Sequence, residues 1–228
     1  MKIIFKILSL FLTLCMMFVF TVPCFASNSK NNIDVRIIDG NTITTEVLAD
    51  NDSLKTVKVT EDKEKTYVVT YDKKANELTT VETDMHTGKS KNTVAKLKLN
   101  SKANEINTAA ASSSYSNFGM FFDGSYYVTN TTWLIENSDE ESKYRTSDST
   151  VLYNFKAAVD NMVRSENAAI TAGGVAICGA VVGTLTAPTG IGAVIGAVTA
   201  LGGSITCANK LWDAWSYQDD VDFYWDRA

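Results

Sequence analysis

The side chains able to do covalent or acid–base chemistry are few. One histidine, His86, stands in a polar turn, Asp84-Met85-His86-Thr87-Gly88, and reads as a solvated turn residue. Four cysteines occur: Cys15, Cys24, Cys178 and Cys207. No Ser/His/Asp or Cys/His arrangement can be assembled around the C-terminal half. No GxSxG, HExxH, CxxC or phosphate-binding loop frame is present. The tail carboxylates Asp213, Asp219, Asp220, Asp222 and Asp226 fit no EF-hand loop. The expectation is a protein that is not an enzyme and uses no cofactor and no metal. Its one available reaction is thiol pairing.

Whether thiols pair depends on compartment. Lys2 and Lys6 form a basic n-region, Ile7 to Val22 an apolar h-region, and Cys24-Phe25-Ala26 ends in the small residue a signal peptidase needs. Cleavage after Ala26 would place the protein outside the cell, secreted; an uncleaved anchor is the alternative. Removal leaves Cys178 and Cys207, an even pair in an oxidising compartment and therefore a candidate disulfide. A closed loop of about 30 residues would contribute roughly 3–4 kcal/mol. The register is imperfect, since Cys178 lies ten residues before Pro188 and Cys207 seventeen after Gly190. Two buried free thiols are the other reading.

Both cysteines lie in a stretch of 43 residues without a charge, Asn167 to Asn209, bounded by Glu166 and Lys210 and interrupted at Pro188-Thr189-Gly190. This predicts a Gly/Ala-rich helical hairpin with arms at 168–187 and 191–208. Each arm holds six residues from Val, Ile and Leu, worth only about −2 to −4 kcal/mol of membrane insertion, and each Gly opposes helix by about 1 kcal/mol. Such spans are marginal, which suits a protein that is first soluble and later membrane-embedded. Gly179, Gly183, Gly192 and Gly196 form two GxxxG frames, and small residues four apart let helices approach closely in lipid. The same residues would also suit a buried hairpin at the centre of a soluble helical domain.

Around this stretch the chain reads as α+β. After the signal (1–26) comes a β-rich module, 27–99, with runs at Asp34–Ile38, Thr42–Leu48, Leu54–Thr60, Lys65–Tyr71, Glu77–Glu82 and Thr93–Leu99. Short Thr/Val/Tyr runs about ten residues apart, separated by polar turns, predict an antiparallel meander with one wet face. Residues 100–116 are small and polar and read as a linker, open to proteolysis and separating a prosegment-like module from an active part. A mixed C-terminal domain, 117–228, follows. Asp123-Gly124 predicts a hairpin between strands Asn117–Phe122 and Ser125–Glu136. Leu152, Phe155, Val159, Met162 and Val163 predict an amphipathic helix capped by Ser149.

Charge divides along the same lines. Ser27 to Asn107 carries 13 basic and 13 acidic residues, whereas Thr108 to Ala228 carries 6 basic and 13 acidic. The acidic C-terminal part argues against nucleic acid as a partner. In the tail, 210–228, Trp212, Trp215 and Trp225 stand among the aspartates just past an apolar arm. They are candidate interface aromatics, with inward packing on an acidic-faced helix as the simpler account.

Four features occur here in one order: the export signal, the module containing TYVVTYDKKANELTTVETD (Thr66–Asp84), the run NFKAAVDNMVRSENAAITAGGVAICGAVVG (Asn154–Gly183), and the aromatic C-terminus. In this the chain resembles the large unmodified bacteriocin precursors of the geobacillin-twenty-six type made by Gram-positive bacteria. The resemblance implies a secreted antibacterial protein made as a precursor, with no catalytic residues. The acidic C-terminal half departs from the cationic character usual in membrane-killing peptides. The expectation is a toxin whose Gly-rich hairpin acts on a bacterial membrane, with self-assembly and a producer immunity protein as further partners. The alternative is a non-toxic cell-envelope or secreted structural protein with the hairpin as buried core or membrane anchor.

Overall fold

Alternating Thr, Val and Tyr side chains with polar two-residue turns build the first half. The computed structural model describes residues 33–97, 115–117, 124–129, 132–137, 139, 141–185 and 190–228. Strands β1 (Ile33–Ile38), β2 (Asn41–Asp50), β3 (Leu54–Glu61), β4 (Lys65–Asp72), β5 (Glu77–Asp84) and β6 (Ser90–Lys96) form one antiparallel meander in chain order. The β1–β2 turn, Asp39-Gly40, has both residues at positive φ (52° and 87°), with Ile38 opposite Asn41. That is the primed turn whose twist matches a hairpin. Asp72 and Asp84 close the β4–β5 and β5–β6 turns by accepting backbone N–H groups, Asp72 from Lys74 and Ala75 and Asp84 from His86 and Thr87. His86 is exposed in that last turn.

One face of this sheet is dry. Ile43, Val57, Val59, Tyr67, Val69 and Leu78 alternate onto it and are at most 2% exposed. The other face carries Thr56, Thr60, Thr66, Thr70, Thr79 and Thr83, all half-buried. β-branched hydroxyl side chains suit a wet pleated surface.

The second half contains β7 (Tyr115–Asn117), β8 (Gly124–Val128), β9 (Trp133–Asn137) and β10 (Ser142–Arg145), then α1 (Thr150–Gly173), α2 (Val175–Thr184), α3 (Ile191–Ala200) and α4 (Ile205–Trp225). The small sheet has the order β10-β9-β8-β7. Three local expectations are corrected. Tyr115 and Ser116, read as linker, are in β7, where they pair with Tyr127 and Tyr126. Ser125–Glu136 holds two antiparallel strands rather than one, with the Thr129 amide donating to the Thr132 carbonyl at 2.9 Å between them. Gly124 opens β8, paired with Asn137, rather than sitting in a turn. A Cβ there would stand 2.7 Å from Val221 and 3.1 Å from Val159, so the glycine lets helices approach the strand. The export signal, most of the linker, Asp123 and Pro188 fall outside the described residues.

Two long helices tie the layers together. Ser149 caps α1, accepting the Leu152 amide at 3.2 Å, and Ser204 caps α4, accepting the Cys207 amide at 3.2 Å. The two run antiparallel: Ser204 at the start of α4 reaches the Ala172 carbonyl near the end of α1, while Trp225 at the far end lies 6.3 Å from the Phe155 ring. Their N- and C-terminal halves feed two cores. One joins Tyr126, Trp133, Ile135, Phe155, Val221 and Trp225 beneath the small sheet. The other joins the dry face of the meander to α2, α3 and the first half of α4.

Candidate functional site

The uncharged stretch forms the Gly/Ala-rich hairpin α2–α3, flanked by the end of α1 and the start of α4. Each predicted arm is subdivided. Gly174, at φ 81°, ends α1 before α2, its amide donating to the Ile170 carbonyl at 2.7 Å; Gly202, at φ 90°, parts α3 from α4. The hairpin helices therefore have 10 residues each, about 15 Å of rise against a hydrocarbon core of about 30 Å. Among the described residues no helix is long and apolar enough to cross a membrane.

α3, Ile191-Gly-Ala-Val-Ile-Gly-Ala-Val-Thr-Ala200, is apolar around its whole circumference, and every residue but Thr199 is buried. The meander supplies one wall through β3, β4 and β5, and α2 and α4 pack against α3 as well. Its glycines explain the seat. Any Cβ at Gly192 would run into the Tyr67 ring, and one at Gly196 would stand 2.5 Å from Val69 Cγ2. In this fold Gly192 and Gly196 receive Tyr67 and Val69 of the sheet. A flat strip on a helix accepts a bulky strand residue as readily as another helix. In α2, Gly179 is buried and Gly183 half-buried.

At the N-terminal end of α3 a Cβ on Gly190 would lie 2.6 Å from the Tyr67 hydroxyl oxygen and 3.1 Å from Glu61 Oε2. A carboxylate there complements the positive end of the helix dipole. In the sequence Tyr67 is one of an alternating run, and Glu61 lies just past the run Leu54–Thr60.

The cysteines do come together. Cys178 of α2 and Cys207 in the first turn of α4 are both fully buried, with Sγ atoms 3.5 Å apart. They are free thiols. The hydrogen bond to Cys207, together with burial, pushes the Cys178 thiol above its ordinary range. The register problem has a simple resolution: Cys207 belongs to α4, which turns back at Gly202-Gly203 and brings its first turn against α2. Gly173 makes room, since any Cβ there would overlap Cys207.

The tail tryptophans point inward. Trp215 is 9% and Trp225 7% exposed, and Trp212 is half-buried against the larger core. Lys143 caps Trp225, donating to its carbonyl at 2.6 Å with its ammonium 4.3 Å from the ring centroid. Arg145 Nε donates to the Ala228 carbonyl at 2.7 Å, pinning the C-terminus to β10. Glu166 is likewise missed by sequence reasoning: it is 1% exposed within α1. Its place at the edge of the uncharged stretch was the only available signal.

A cavity of about 310 Å³ opens beside α2, lined by Tyr71, Leu97, Ile177, Ala180 and Leu201. Among the described residues no group of three or more His, Cys, Asp or Glu is placed to hold a metal ion. No family model matches the chain, and no curated protein and no solved structure matches it either.

Proposed function

We propose that this is a secreted bacteriocin-like antibacterial protein, stored with its membrane-directed hairpin under cover. The observation that carries the reading is the enclosure of α3. A helix apolar on every side has one wall made by the N-terminal meander, and along the chain the meander is linked to the helices through the segment after Leu97. Cutting that segment and losing the sheet would expose the face holding Gly192 and Gly196 together with the rest of α3. Such a surface is removed from water by entering a membrane or by assembling with further copies. The partner is then a bacterial membrane, and the producer needs an immunity protein.

A specific protease site placed between Ala109 and Ser114 of the intact chain tests this. Dye release from phosphatidylglycerol/phosphatidylcholine vesicles is measured before and after cleavage. Release confined to the cleaved protein supports the reading. Vesicles that stay sealed although the sheet has dissociated would overturn it. The second reading, a non-toxic envelope or secreted structural protein, draws on the shortness of α2 and α3, which suits an ordinary core. It expects sealed vesicles and a sheet that stays bound after the cut.

A further inference from the structure

The two edges of the meander are unlike. β6, Ser-Lys-Asn-Thr-Val-Ala-Lys, puts Lys91 and Lys96 along its length, the usual protection of an open edge. β1 is Ile-Asp-Val-Arg-Ile-Ile, and among the described residues no strand lies beyond it. Its outer-face side chains Ile33, Val35 and Ile37 are 54%, 59% and 77% exposed. The helices reach the sheet chiefly over β3, β4 and β5, and of β1 it is Ile38, at its end, that packs against that core.

The backbone on that edge is poised outward. Ile38 and Asn41 flank a two-residue turn and form a hydrogen-bonded pair, so the next pair, Ile37 with Thr42, does not exchange bonds. Thr42 confirms this, since its amide and carbonyl both serve Asp62 on the other side. By alternation the N–H and C=O groups of Ile33, Val35 and Ile37 face the open edge.

We infer that β1 pairs with β1 of a second copy, antiparallel about a two-fold axis through Val35, joining two meanders into one continuous sheet. The strand is self-complementary about that residue. Val35 meets its own copy, Ile33 meets Ile37, and these three positions carry the outward amides, so both ladders close. Asp34 then faces Arg36 of the partner copy, twice. Within one chain these two already form an ion pair at 2.9 Å, half exposed, and are free to re-pair across the axis. A parallel pairing in the same register would set Asp34 beside Asp34 and Arg36 beside Arg36, which is unfavourable. The charges therefore select one orientation.

Sedimentation equilibrium of the purified chain from about 1 to 100 µM is the test, a range suited to an interface below roughly 1,200 Å². The wild type is expected to dimerise reversibly. Val35→Pro removes an amide the β1–β2 ladder does not use, and should weaken the dimer about tenfold or more with unchanged far-UV circular dichroism. Asp34→Lys alone and Arg36→Glu alone make the edge all-cationic or all-anionic, and each should be monomeric. An equal mixture of the two should regain a dimer. A wild type that is monomeric throughout overturns the inference, as does a folded Val35→Pro protein that dimerises undiminished, or a mixture that fails to recover association.

Discussion

α2 and α3 are near twins in sequence and opposites in setting. Both are ten-residue, uncharged, Gly-spaced helices. Aligned 13 residues apart, they and their flanks share seven of twelve positions from Gly179 to Gly190. Yet α3 is buried at every residue but one, whereas α2 leaves Ala176 exposed and Val175, Ile177 and Val182 half-covered. The difference is the sheet, which lies against α3. An apolar repeat thus states that a helix needs cover, and the neighbouring layer decides which copy receives it.

The strongest way to break this contrast is to spoil the seat. Replacing both Gly192 and Gly196 by Leu drives side chains into Tyr67 and Val69. The expected loss is on the order of 3 kcal/mol or more, read as a collapse of the urea midpoint. The same experiment on Ala176→Ser in α2 should move stability by no more than about 0.5 kcal/mol. Equal effects would mean that the two helices are covered alike.

Oxidation sharpens the contrast from the other side, since Cys178 holds α2 to α4. Treatment with oxidised glutathione should convert the two thiols to one disulfide, with two equivalents of glutathione thiol released. Closing the loop, whose ends are 29 residues apart, should add roughly 3–4 kcal/mol. Thiols that titrate as free after that treatment would show that α2 and α4 cannot close the last distance between sulfurs.

The smallest effect concerns pH. The Asp72 carboxyl is held below its ordinary value of 3.8 by the Ala75 and Lys74 amides, and that of Asp84 chiefly by the Thr87 amide. Lowered folded values mean that both turns stabilise the sheet above the ordinary aspartate range and lose this as pH falls through the folded values. Acid should therefore loosen the cover of α3. Asp222 in α4 runs the opposite way. Partial desolvation, then repulsion from Asp219, Asp226 and Asp139, raises the carboxyl of this exposed residue above 3.8. Its ionised form costs stability at neutral pH, and the cost disappears as pH falls through the raised value. Asp222→Asn should gain a few tenths of a kcal/mol at pH 7 and nothing in acid, as thermal melts at the two pH values would show.

Much of this architecture was written in local sequence. Period-two runs between turn pairs such as Asp39-Gly40 marked the meander to within a few residues, because strand alternation and positive-φ turns are local properties. Ser149 and the spacing of Leu152, Phe155 and Val159 did the same for α1. The sequence also determined that Cys178 and Cys207 share one uncharged stretch, and that Asn167–Asn209 had to be hidden. What hides it was decided only by the tertiary structure. Tyr67 and Val69 lie more than a hundred residues before Gly192 and Gly196, and nothing in either segment names the other. The inward turn of Trp215 and Trp225 was likewise decided by the helix and sheet beside them, and so was the meeting of the two cysteines across Gly173. Local patterning records which face of an element is apolar; only the packing of distant layers records which apolar face it meets.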